Sequence, residues 1–179
     1  MDDVGTGAVK LLTACDDVTE LLGLFSLADP VAPNAGRPWI FADTISLAGA
    51  PGVLTRVEGT QQAALVLSDF GGWEAPAMLA SARFRRLRVD VWVDPVRDGN
   101  SNVAETSALT TNRGLAVFAA AHSHLQRRDS DVQIWGDLVT FGCQLLADIT
   151  FSPVPDGDWL QRGTAYYGVY CAGWTDAAE

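Results

Sequence analysis

Between Arg86 and Asp94 apolar and polar residues alternate without a break. Leu87, Val89, Val91 and Val93 fall on one side, and Arg86, Arg88, Asp90, Trp92 and Asp94 on the other. A period of two over this length is the pattern of a β-strand with one covered face, and the valines suit a pleated surface. Any fold open to this chain must therefore place a strand at about residues 83–94 and bury its odd-numbered side. Four aliphatic side chains left in a row would make a patch that a soluble protein avoids. A central position in a mixed sheet, with a helix against the odd face, meets that demand.

The rest of the chain supplies partners for this strand. Residues 6–22 read as a helix with Thr6 as N-cap, an apolar stripe of Ala8, Leu11, Cys15, Val18 and Leu22, and Gly23 just past its end. Residues 39–42 and 63–69 read as strands, the second aliphatic enough to be covered on both faces. Residues 44–48 and 53–58 flank Gly49-Ala50-Pro51-Gly52 as a hairpin. A second helix is predicted over residues 103–126, capped by Asn102 with Glu105 in a capping box. Its buried side would carry Leu109, Leu115, Ala116, Phe118, Ala119, His122 and Leu125, and Gly114 would weaken its middle by about 1 kcal/mol relative to alanine. Strands at 132–135, 141–151 and 163–172 follow, with Tyr166 and Tyr170 facing away from Tyr167, Val169 and Cys171. The expected architecture is α+β: one domain over residues 1–179, a mixed, mainly antiparallel sheet packed against two long helices. Loops fall at about 26–38, 49–52 and 70–82, and a short acidic tail ends the chain.

Composition narrows the function. The formal charge is -10, and twelve basic residues comprise Lys10 and eleven arginines. Gripping nucleic acid takes a basic surface, so this chain is not expected to wrap DNA, although an acidic wall suits a passage through which DNA must slide. No run of apolar residues is long enough for a transmembrane helix. The Met1-Asp2-Asp3 start is acidic where a secretory signal is basic, which predicts synthesis in a cytoplasm.

Residue patterns for chemistry are weak. Cys15, Cys143 and Cys171 are odd in number and lack zinc or disulfide spacing, so they read as buried thiols. His122 and His124, two apart on a helix, cannot share a metal. Asp94, Asp98, Gly99 and Glu105 match positions of a calcium loop, but Val96 occupies a ligand position and a strand precedes the loop. Gly71-Gly72 lacks the lysine of a phosphate loop. A Ser-His-acid set without sequence context remains open to geometry. No catalytic residue, cofactor or metal is therefore expected, and the chain does not read as an enzyme.

Six tryptophans and an arginine cluster suggest contact instead. Trp92, on the charged side of the organising strand, and Trp73, in a Gly-rich segment, are the subunit-interface candidates. Trp39, Trp135, Trp159 and Trp174 are assigned to core or sheet edge. Arg83, Arg85, Arg86 and Arg88 split between two faces, which puts Arg86 and Arg88 beside Trp92. Interfaces often centre on tryptophan and arginine, and carboxylates of a neighbouring subunit would pair the guanidinium groups.

The order of these elements resembles a known family. A helix, a hairpin, strands through Ala64-Leu65-Val66-Leu67-Ser68-Asp69 and Leu87-Arg88-Val89-Asp90-Val91-Trp92, a long helix and paired C-terminal strands are similar to the tail terminator proteins of long-tailed bacteriophages, in particular those of actinobacterial hosts. The resemblance covers about residues 6–172. It implies a structural virion protein of the tail and neck, forming a hexameric ring that caps the tail tube and joins it to the head-side connector. Its partners would be copies of itself, the tail tube protein and the head-tail connector protein, with DNA passing through unbound and no membrane involved. It supplies no catalytic residues. A head-tail connector or other virion subunit is the alternative, followed by a small enzyme or ligand-binding domain.

Overall fold

A computed structural model describes residues 3–26, 40–42, 62–73, 82–96, 98–100, 102–126, 132–153 and 161–172. The helices are α1 (Val4–Thr13), α2 (Asp16–Ser26) and α3 (Ser107–Leu125). The strands are β1 (Ile40–Ala42), β2 (Gln62–Trp73), β3 (Ala82–Asp94), β4 (Gln133–Trp135), β5 (Leu138–Pro153) and β6 (Gln161–Ala172). They make one six-stranded sheet in the order β1-β2-β3-β6-β5-β4, so the alternating stretch is a central strand. β1 runs parallel to β2, and every other pairing is antiparallel.

The odd face of β3 is the floor of the core. Leu87, Val89, Val91 and Val93 are fully buried together with Leu65 and Leu67 of β2 and Ala165, Tyr167, Val169 and Cys171 of β6. Val4, Ala8 and Leu12 of α1, Val18 and Leu22 of α2, and Val117, Ala121 and Leu125 of α3 close over it. Removing this much aliphatic surface from water is the main stabilising term, at about 1.5–3 kcal/mol per large side chain. The even face is covered too along part of its length: Asp90, Trp92 and Asp94 are buried, as are Ala64, Val66 and Ser68 beside them. β3 is therefore more enclosed than alternation alone implies, while β2 is buried on both faces as its aliphatic run predicts.

Two long helices are not what the chain builds. The predicted first helix is two short ones, broken at Ala14 and Cys15, where the Ala14 and Cys15 amides turn back to the Leu11 and Leu12 carbonyls. Apolar spacing runs on across the break, which is why the sequence reads as continuous. Asp16 and Asp17 mark the new start, where negative charge meets the positive end of a helix dipole. The N-cap of α1 is Asp3, whose Oδ1 accepts the Thr6 amide at 2.6 Å, so Thr6 is inside the helix. Gly23 is likewise inside α2.

The start of α3 is also displaced. Thr106, rather than Asn102, is the N-cap and accepts the Leu109 amide at 3.3 Å. Its buried side is Thr110, Gly114, Val117, Phe118, Ala121 and Leu125. Leu109 and Leu115, expected inside, are 54% and 41% exposed, and Ala116 and Ala119 are exposed as well. Gly114 is on this buried side, packed against the sheet. A Cβ there would lie 2.5 Å from the Phe151 ring and 2.8 Å from Val93 Cγ2.

The segment expected as a loop at 70–82 begins as a continuation of β2 to Trp73. A register shift between Asp69 and Gly72 kinks it, with Gly71 at φ +88°, a conformation glycine adopts without strain. The hairpin at 44–58, most of the loop at 26–38 and the C-terminal tail fall outside the described residues.

Candidate subunit interface

The even face of β3 holds the sequence-predicted candidates, and it divides into a closed part and an open part. Trp92 belongs to the closed part. It is only 3% exposed within its own subunit, with the Arg162 guanidinium 5.5 Å over its ring. The expectation that Trp92 reaches a neighbour rested on an exposed side chain, and this burial takes that support away. A strand residue among polar neighbours had looked solvated, but cross-strand Arg162 and Ala64 flank it. Trp73 lies in register with Phe84, and its side chain is outside the described residues, as are Trp39, Trp159 and Trp174. Trp135 is fully buried and donates Nε1–H to Gln133 at 3.0 Å.

Toward the start of β3 the same face opens. Phe70 is 51% exposed and meets Tyr166 edge-on at 5.6 Å between ring centroids. Phe84 meets Tyr170 in the same way at 5.0 Å. The Phe84 ring lies across β6 at Gly168, where a Cβ would come within 2.5 Å of it, and Leu146 of β5 approaches the same point at 3.3 Å. Leu146 itself is 50% exposed. Three strands and the end of β2 thus bring one leucine and four aromatic rings to a single outward face. Half-buried Arg86 stands in register with Gly168, and Arg88 with Tyr166.

The arginines are already engaged within the chain. Arg88 Nε contacts Asp90 Oδ2 at 2.8 Å, and Thr164 donates to Asp90 Oδ1 at 2.6 Å. Arg85 donates from Nε and Nη2 to Asp69 Oδ2 at 3.2 and 2.7 Å, and Asp69 Oδ1 accepts the Gly71 amide at 3.0 Å. The Arg88–Asp90–Thr164 set holds one long side chain of this face against the sheet, while Arg85, in register with buried Val169 on the odd side, braces the bend at the end of β2.

Leu146 follows Leu145, which packs on the core, so alternation along β5 turns it outward, and two register shifts bend the strand around it. The register of β5 with β6 slips between Leu145 and Ala147, leaving Leu146 as the extra residue, and between Thr140 and Gly142, leaving Phe141. A bulge bends its strand. Sequence patterning assigns Phe70 to a loop and leaves Tyr166 and Tyr170 without a role. Their alternation against Tyr167 was the available signal, whereas a bulge at Leu146 leaves none in a single sequence.

Other constellations resolve into structural roles. Glu105 accepts the Val96 amide at 3.0 Å and the Thr110 hydroxyl at 2.9 Å, and it pairs with Arg113, which also donates to the Asp94 carbonyl at 2.7 Å. Burial raises the Glu105 carboxyl, but Arg113 and these donors outweigh it and hold it below the ordinary glutamate range. Asp98 accepts the Asn102 and Asn100 amides at 2.8 and 2.9 Å, which lowers its carboxyl. The residues that matched a calcium loop are thus spent on bracing the connection into α3. His122 Nδ1 lies 2.7 Å from the Tyr167 hydroxyl, while His124 Nε2 lies 2.7 Å from Asp17 Oδ1, on different sides of α3. Burial pushes up both the Cys143 thiol and the Tyr167 phenol.

No family model matches the chain, and no curated protein matches it. Among solved structures, a chain of "Virion of native gene transfer agent (GTA) particle" aligns over 90% of this chain and 96% of its own length, at 16% identity and a TM-score of 0.45.

Proposed function

We propose that this protein is a structural subunit of a phage-type virion, a tail terminator that assembles as a hexameric ring, caps the tail tube and joins it to the head-side connector. One observation carries the reading: an aromatic and arginine patch, centred on Phe70, Phe84, Leu146, Tyr166 and Tyr170, on the sheet face away from the helices. An exposed phenylalanine among half-buried aromatics, beside arginine, is the composition of a protein interface core. The element order behind the family resemblance supports it, since β2, β3, α3 and the β5–β6 pair follow one another as that resemblance requires. Arg86 and Arg88 keep their place in the proposal as the polar members of this face. A ring repeats one heterologous contact around its axis, so each subunit needs such a face and a different surface to receive it.

The test is imaging of the protein in assembled particles. A symmetric ring at the head-proximal end of the tail is the expected result. A position at the portal would favour a connector instead, and a lone monomer, or absence from particles, would overturn the virion reading.

A further inference from the structure

The second surface is visible on α3. Every exposed position of this helix is uncharged: Leu109, Asn112, Leu115, Ala116, Ala119 and Ser123 run along its outward side. A solvent-facing helix side normally carries the charged residues that balance an apolar stripe. In a chain with 22 acidic residues, a helix of 19 residues with no exposed charge departs from that rule. Its one arginine, Arg113, turns inward to Glu105. Exposed carboxylates border this side without standing on it: Asp16, Asp17 and Glu20 are together on α2, where Asp17 pairs with His124 of α3.

We infer that the outward side of α3 is the docking surface for a second copy of this chain, and that it receives the Phe70–Leu146 patch of that copy. Charge selects this pairing. Copies carrying a net charge of -10 repel, so they meet with least cost where carboxylates are absent from the contact. Shape agrees with charge. The sheet patch projects bulky side chains, and beyond the two leucines, toward its C-terminus, the helix side offers the small residues Ala116, Ala119 and Ser123, a surface that large groups can enter. Position agrees as well. α3 covers the odd face of the sheet and the patch lies on the even face, so the two surfaces look in opposite directions. Joining them links copies head to tail, the heterologous geometry a ring needs. The contact rests on the ring reading above for its repetition.

Site-directed cross-linking tests it in a Cys15→Ser background, because Cys15 is the half-buried native thiol. Ala116→Cys combined with Leu146→Cys, treated with a short bismaleimide, should give a ladder of covalent multimers. Each single variant should give no covalent multimers. Dimers from Ala116→Cys alone would mean that α3 meets α3, and would overturn the pairing. In sedimentation, Ala116→Glu with Ala119→Glu should raise the self-dissociation constant at least about tenfold while helical content is unchanged. Multimers that survive this variant and show no cross-link would overturn the contact but leave the ring standing. A wild-type chain that stays monomeric in solution and forms no ring in particles would remove both.

Discussion

Gly114 shows how a residue can mean the reverse of its propensity. In an exposed helix, glycine to alanine gains about 1 kcal/mol. Here the added methyl meets Phe151 and Val93, on rings and branches that are already packed. Gly114→Ala is therefore expected to destabilise by about 1–3 kcal/mol, the range for overpacking, as read by denaturant unfolding. Glu105 makes a pH-dependent contribution of defined sign. Its folded-state carboxyl sits below the ordinary range, so its stabilisation is complete above the unfolded value of about 4.3 and fades as pH falls through the lower folded value. Glu105→Gln should be less stable than wild type at neutral pH, and the gap should close as unfolding is measured below about pH 4. Neither effect was legible in the chain. Glycine reads as a weak helix residue until its neighbours across 37 positions of sequence are known, and Glu105 reads as a capping-box residue until Arg113 is seen to claim it.

Elements were legible where period and burial agree. β3 has unbroken alternation and a fully buried odd face, so its bounds and central place followed directly. β6 was found for the same reason and β2 from its aliphatic run, although β2 runs on past Asp69 because a positive-φ glycine lets it bend instead of ending. The helices were less readable. α1 and α2 share a continuing apolar spacing that hides the break at Ala14. In α3, Thr110 and Gly114 line the buried side, so counting only apolar residues rotates the helix toward Leu109 and Leu115. The displaced cap can be checked by mutation. Thr106→Ala should cost about 0.5–1 kcal/mol in thermal unfolding, near the lower end for a lost cap because its bond is long. Asn102→Ala should leave the helix start unchanged in amide exchange and loosen only the turn held by Asp98.

At the scale of the whole molecule, polarity is sorted by layer: an aromatic and arginine face on one side of the sheet, three helices on the other, and an acidic surface on α2. If the ring surrounds passing DNA, its carboxylates should outnumber its arginines along the lumen, so that fixed like charge keeps the duplex from adsorbing. Purified rings are then expected to retain no duplex on filters at low salt, whereas Asp16→Lys with Glu20→Lys should introduce salt-sensitive retention. A lumen lined mainly by Arg86 and Arg88 would contradict this. The sequence pointed to Trp92 as the exposed aromatic of β3, which is in fact buried, and could not show the patch around Phe70 and Leu146, because two distant segments must meet before these become neighbours of the same tyrosine-bearing strand. β5 has a last consequence. It runs beside β6 with three slips, at Phe141, at Leu146 and between Ala147 and Thr150, yet Cys143, Leu145, Ile149 and Phe151 all still reach the core side. Because each surplus residue is skipped by the ladder, removing Leu146 would leave every downstream pairing intact and merely straighten the strand. Chain length thus works as a dial separate from core composition: single-codon gains and losses on one strand can retune the bend of the sheet's outward face while the interior stays the same.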